Sequence, residues 1–371
     1  MWKIAFVLPN LKIGNSIETN YLALVDYDDE RIIEIKKEQQ NSSKLLNGFI
    51  DDFKKHINPS VLIYKEGFPE NAVSIDSIVT FRNIVAISTI LLNWSKDYSQ
   101  ASPMGPLFSN NFDFYPIKLT NDGNLITSNP VLESFYSKNA PFIATPSREV
   151  PRVDIGLSDP TLFEPLIQLW KNKYESGQDE NFITRIIFRS LEMAFYALSI
   201  PTKNESSFND FGLIISLWIS AIEILVNPID SDVNKFIVLD KLSNHGFKDS
   251  DLNKGFSEMD KNKKQVEINF IQKLYLEVYN YRNKFIHGDV IDPKIIKFFK
   301  GFQKLSLLNI GPNLYRVILY LVLKENNLIK ENETCHYLDG FRERLINNRY
   351  EEYFLNVLKS DNSDKIDNPE N

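Results

Sequence analysis

Cysteine is nearly missing from these 371 residues: Cys335 stands alone, so no disulfide can close within the chain, and a secreted scaffold built on disulfides is excluded. Histidine is scarce too, at four, and the two counts together leave too few ligands for a zinc ribbon or an iron–sulfur centre. Cys335 and His336 are adjacent, and adjacent side chains on a helix or strand point apart, so the pair reads as ordinary rather than metal-binding. The fourteen glycines are scattered, and no Gly-rich loop opens a helix. Neither H-E-x-x-H nor G-x-S-x-G occurs. Long hydrophobic runs are also lacking. The longest, such as Ile84–Leu92, fall short of the roughly 18 residues that cross a bilayer. The opening MWKIAFVLPNLKIGN sets one Lys before a short apolar run broken by Pro9, without the long core and cleavage site of a signal peptide. A cytoplasmic protein with no membrane partner is the expectation.

What is present is an ordinary globular balance, 43% apolar and 25% charged with a net charge of −7, on a length that suits two domains. The first half mixes signals. Ile4–Leu8, Tyr21–Val25 and Val61–Tyr64 have strand length, Ser42–His56 and Ser74–Trp94 have helical spacing, and 112–126 reads as a hairpin turning at Asp122-Gly123. Nine of the seventeen prolines fall between 103 and 165, which predicts an irregular connecting stretch. Beyond it the pattern predicts helix after helix: Phe182–Ile200, Asp210–Val226, Val233–Asn244, Lys264–His287, Pro293–Phe302, Pro312–Lys324 and Leu338–Leu358. The expected layout is an α+β amino-terminal domain over 1–150, a linker over 151–180, an all-α helical bundle over 181–358 and a disordered polar tail over 359–371.

Reactive residue types gather at the end of the longest predicted helix, Tyr279-Asn-Tyr-Arg-Asn-Lys-Phe-Ile-His-Gly-Asp289. Arg282 is followed at once by Asn283, and after four intervening residues by His287 and the helix-closing Gly288. An apolar helix with one acid, Glu223 within Leu217–Leu225, lies upstream, and a further long helix, Arg185–Leu198, precedes that. In these features residues 180–325 resemble the HEPN superfamily, in its Apea-like branch. The resemblance implies a HEPN-type bundle after the α+β domain, and a metal-independent endoribonuclease that works as a homodimer on RNA without a cofactor. It also implies a role in phage defence or toxin-like growth arrest, with the amino-terminal half a sensor or targeting domain for a phage-derived or antitoxin protein.

The chemistry suits the residues. Cleaving RNA without metal uses its own 2′-OH as nucleophile, which needs a group to move protons and a fixed positive charge for the phosphorane. Histidine titrates near neutrality and arginine offers a planar fork matched to phosphate, so His287 and Arg282 are the catalytic candidates. Asn283 lies four residues before His287, where its amide can hold the imidazole, and Glu223 can orient Arg282 from the neighbouring helix. On an ideal helix Arg282 and His287 are about 140° apart and about 7.5 Å along the axis. They converge on one phosphate only if the helix unwinds at Gly288 or if a twofold dimer pools both copies. Residues 261–304 hold ten basic side chains against four acidic ones, a net of +6 in a chain of net −7, the footprint expected for RNA. Lys284 and Lys273 are candidate phosphate contacts, and Tyr279 and Tyr281 candidate stacking platforms. Bland readings stand beside these: Arg282 and His287 as plain helix-end cations, Tyr275 and Tyr279 as core, the lysines of 261–264 as a solvated helix start, and His56 and His245 as loop or cap residues. Two other functional classes remain open, a non-catalytic RNA-, nucleotide- or protein-binding module and a dimerising scaffold.

Overall fold

The structure is a computed structural model that describes residues 1–50, 54–95, 107–115, 117–119, 125–127, 135–136, 152–153, 158–200, 207–226, 234–259, 264–292, 307–329 and 337–367. The chain forms two compact units that interleave in sequence. The first comprises Met1–Arg82, Leu107–Ser158 and Trp170–Asp179, the second Asn83–Pro106, Asp159–Leu169 and Glu180–Asn371.

The first unit is α+β. Strands β1 (Trp2–Leu8), β2 (Lys12–Ile13), β3 (Ile17–Glu18), β4 (Leu22–Val25) and β5 (Ser60–Lys65) alternate with helices α1 (Glu30–Glu38) and α2 (Gln40–Asn47). Four of the strands form a sheet in the order β1-β5-β4-β3, antiparallel throughout. One sheet face and the two helices enclose Val25, Ile32, Ile35, Leu46, Phe49, Val61 and Ile63, all essentially out of water. The helix expected over Ser42–His56 is shorter. Gly48 caps α2, and the chain then turns into an antiparallel bridge between Ile50 and His56, so Phe49 reaches the core from a turn. The expected hairpin is present as β6 (Ile117–Leu119) against β7 (Leu125–Thr127), extended by β8 (Phe135–Tyr136), while its Asp122-Gly123 turn lies outside the described residues. Strand β9 (Arg152–Val153) pairs in parallel with β2.

Helix α3 (Ile75–Trp94) forms where its apolar spacing predicts, but its residues are divided between the two units after Arg82 and do not all belong to the expected 1–150 domain. The linker expected over 151–180 instead contains helix α4 (Pro160–Trp170). Pro160 occupies its first position, where a missing N–H costs nothing, and Asp159 accepts a hydrogen bond from the Thr161 amide at 3.0 Å. Proline density here marks a helix start.

The second unit is mostly helical. Around α6 (Phe208–Val226) pack α5 (Phe182–Ser199), α7 (Lys235–Ser243), α8 (Phe270–His287) and α9 (Leu307–Glu325). Trp218 of α6 is buried against Tyr315 of α9, and the Ser190 hydroxyl of α5 donates to the Ala221 carbonyl at 2.7 Å. Helix α9 starts five residues before Pro312, earlier than expected. The bundle is not all-α. Strands β10 (Phe256–Met259) and β11 (Gln265–Ile268) form an antiparallel hairpin over a segment that the pattern partly assigns to the following helix. Helix α10 (Tyr337–Asp367) continues through most of the tail expected to be disordered. Extending a helix already anchored by buried Tyr350, Phe354 and Val357 needs no new nucleus, so even a polar sequence can prolong it. The helix expected over Pro293–Phe302 and the Cys335-His336 pair lie outside the described residues.

Among the described residues two helices are long and apolar enough to cross a membrane by length and composition alone, α3 and the Asn209–Val226 stretch of α6. In the structure 78% of the α3 window is buried, the environment of a core helix.

Candidate functional site

Helix α8 carries the Arg–His motif, and its two ends are fixed differently. At the start, Asn269 and Gln272 form a capping box: the Asn269 side chain accepts from the Gln272 amide at 2.9 Å, and the Gln272 side chain accepts from the Asn269 amide at 2.7 Å. The Gln272 amide group also donates to the Leu239 carbonyl of α7 at 2.7 Å. Along one face Ile271, Leu274, Tyr275, Val278 and Tyr281 are buried. At the other end Gly288 adopts a left-handed conformation, φ 76°, and the Asp289 amide donates back to the Lys284 carbonyl at 3.0 Å. That closure satisfies the last carbonyls and favours glycine at the turn. The helix therefore stays regular through His287, and unwinding at Gly288 does not bring Arg282 and His287 together.

His287 is exposed, and its imidazole makes no hydrogen bond among the described residues. Arg282 is half-buried. Its Nη1 donates to Asn283 Oδ1 at 3.0 Å, and its guanidinium carbon lies 5.8 Å from the centroid of the Tyr279 ring, one turn toward the helix start. Its Nε is buried and has no acceptor among the described residues. The hydroxyl of Tyr275, fully buried on the same helix, likewise has no partner, and burial with the nearby Glu223 charge keeps it protonated. Glu223 faces this group from α6. Burial raises its pKa, and the positive charge of Arg282 offsets only part of the rise. No ion pair within 4.0 Å joins the two. Buried polar groups without partners cost about 1–3 kcal/mol each, so Arg282 Nε and the Tyr275 hydroxyl are unspent hydrogen-bonding capacity on α8.

The start of α6 and the end of α8 are in close contact. A Cβ on Gly212 would lie 2.7 Å from Phe285 Cδ1, so only glycine allows the present approach. Next to this contact Leu213 and Ile286 are about half exposed, and Val290 just beyond the motif is fully exposed. No family model, curated protein or solved structure matches the chain. The reading of the site rests on its own residues.

Of the residues the sequence singles out, Arg282, Asn283, Lys284, Tyr279 and His287 share the last turns of α8, with Glu223 within electrostatic reach. Three expectations change. Asn283 supports the guanidinium rather than the imidazole, because a charge-assisted bond to its direct neighbour is available. Tyr281 is buried and offers no stacking platform; Lys284, which is exposed, lies over its ring with Nζ at 5.3 Å from the centroid. Lys273 is half-buried, Nζ 4.5 Å from the Phe256 centroid, and lies nine residues before Arg282, roughly 13 Å along the axis. Tyr275 is core, as the bland reading has it, with the Tyr279 ring at 6.0 Å. Of the basic stretch, 261–263 and 293–304 lie outside the described residues.

The raised pKa of Glu223 has a measurable sign. A carboxyl held above its reference value of 4.5 in the fold adds stability below that value, and the contribution is lost as pH rises through the folded pKa. Glu223→Gln, neutral at every pH, is expected to unfold at higher urea than the wild type at neutral pH. The advantage should disappear below pH 4.5. An advantage that persists in acid would remove burial of the charge as its cause.

Proposed function

We propose that the chain is a metal-independent endoribonuclease of the HEPN type, cleaving single-stranded or loop RNA in a cleft formed by the α8 ends of two protomers. One observation carries the reading: an exposed imidazole at His287 with no hydrogen bond among the described residues, on the same helix end as a guanidinium whose Nε has no partner among them and which is within electrostatic reach of Glu223. Because α8 is regular, the two groups diverge within a protomer, and pooling two copies about a twofold axis is the arrangement that gathers them. The exposed Leu213, Ile286 and Val290 at this end supply apolar surface for that contact.

In the proposed reaction the 2′-oxygen bonds to the adjacent phosphorus while the bond to the 5′-oxygen breaks. One His287 takes the 2′-hydroxyl proton, and the second His287 gives a proton to the departing 5′-oxygen. Arg282 neutralises the charge that builds on the phosphoryl oxygens. Lys284 and Tyr279 hold neighbouring phosphates and bases. The products carry a 2′,3′-cyclic phosphate and a 5′-hydroxyl. No metal enters the scheme, so cleavage in EDTA should match cleavage without it, and a DNA strand of the same sequence should survive. Loss of activity in EDTA, or products with 3′-hydroxyl ends, would rule the scheme out. The biological reading follows the resemblance: phage defence or growth arrest, with the amino-terminal unit receiving the triggering signal. Expression of the wild type then stops growth, and His287→Ala is harmless.

A further inference from the structure

The two polar atoms that α8 buries without a partner among the described residues, the Tyr275 hydroxyl and Arg282 Nε, belong to one group. Residues 275, 279 and 282 follow one another at spacings of four and three, so they stack along a single helix face over two turns. The Tyr275 and Tyr279 rings lie 6.0 Å apart, and the Arg282 guanidinium carbon is 5.8 Å from the Tyr279 centroid. The arginine side chain thus runs back along the row toward Tyr275.

Glu223 of α6 is within electrostatic reach of both ends of this row. Burial first, and then the Glu223 charge, raise the pKa of Tyr275 above the ordinary tyrosine range. Arg282 is the charge that lowers the pKa of Glu223 against its burial. Among the described residues no hydrogen bond ends on the Glu223 carboxylate, and Arg282 gives its Nη1 to Asn283 instead. The group therefore holds two free donors and one free acceptor, and a carboxylate has two oxygens to receive them. Phenylalanine would fill the fully buried Tyr275 site without stranding an oxygen. A hydroxyl there earns its place only in a state where it bonds.

Given the ribonuclease site proposed above, on which this rests, we propose that Tyr275 is its positioning residue: the hydroxyl donates to one Glu223 oxygen, and the other oxygen takes Arg282 Nε when an RNA phosphate draws the guanidinium off Asn283. Held at Nε, the guanidinium presents Nη1 and Nη2 as a fork to two phosphoryl oxygens. The hydroxyl touches no substrate. It fixes where the carboxylate stands, and through it the plane of the fork. Both atoms left unpaired in the free protein are satisfied only in the engaged state, so the gain falls on turnover rather than on substrate affinity.

The test is steady-state cleavage of a single-stranded RNA by the full-length wild type, Tyr275→Phe, Glu223→Gln and the double variant, with thermal melting of each. Tyr275→Phe is expected to lower kcat about tenfold and leave KM unchanged. It should melt at or above the wild-type temperature, because the lost hydroxyl had no bond among the described residues. The double variant is expected to be no slower than Glu223→Gln, since the hydroxyl acts only through the carboxylate. Three results would each overturn the proposal: wild-type kcat in Tyr275→Phe, a loss that multiplies in full with that of Glu223→Gln, or a loss that comes with a lower melting temperature. Wild-type protein that cleaves no RNA would defeat the ribonuclease reading and this role with it. Equal rates in wild type and Tyr275→Phe, in protein that does cleave, would defeat the role of Tyr275 alone.

Discussion

His287→Ala is expected to lower cleavage of single-stranded RNA by about 10²- to 10⁴-fold, the loss that follows removal of a positioned proton carrier. The imidazole is exposed and hydrogen-bonded to nothing among the described residues, so the variant should melt with the wild type. Activity then falls without a change in folding. Arg282→Ala is expected to cost about 10²- to 10³-fold through lost charge stabilisation. Arg282→Lys should recover only part of this, because an ammonium keeps the charge and loses the fork that engages two phosphoryl oxygens. Rates measured at saturating substrate distinguish chemistry from binding. Unchanged turnover in both alanine variants would leave the basic helix end as a binding surface only.

The largest effect on stability is expected from Asp159→Ala. Asp159 is fully buried, accepts from Arg316 Nε at 3.1 Å and caps the start of α4 through Thr161. Its removal strands a guanidinium of 2% exposure among aromatic rings, and breaking a buried pair from one side costs about 3–5 kcal/mol. Urea unfolding followed by the helical signal should show the early loss of a large part of the amplitude. Replacing both partners by apolar residues of similar size, Asp159→Leu with Arg316→Met, should restore most of the midpoint, since neither charge is then left buried alone. A double variant as unstable as Asp159→Ala would show that the hydrogen bonds to Thr161 and Asn347 matter more than the charges.

Elements set by local periodicity were legible in the sequence. The strands at β1, β4 and β5 and the helices α3, α5 and α6 follow the apolar spacing, and β1, β5, α5 and α6 stop within two residues of a Gly or Pro; Asn227-Pro228 directly follows α6. Where a rule was applied in bulk, it failed. The proline-rich stretch concealed α4, which takes Pro160 at its first position, where proline is welcome, and also carries Pro165 within it. The start of α8 had a readable signal in the Asn269…Gln272 capping box, but the apolar residues of β11 obscured it. At the motif, sequence spacing put Arg282 and His287 on the last turns of one helix, where they lie, yet it could not show that Asn283 turns toward Arg282 or that Tyr281 faces the core. The Asp159–Arg316 pair joins residues 157 apart, and no local pattern announces it. His245 read as a cap residue for the same reason: its neighbours Arg316 and Tyr320 come from a distant helix.

The most direct measurement of the central claim is complementation between two inactive variants. Protomers carrying Arg282→Ala and protomers carrying His287→Ala are mixed under conditions that let dimers exchange, and RNA cleavage is followed in EDTA. A cleft that pools one guanidinium and one imidazole across the twofold axis predicts activity that reappears on mixing and peaks near an equal ratio. A mixture as inactive as either parent, in preparations where exchange is complete, would contradict it.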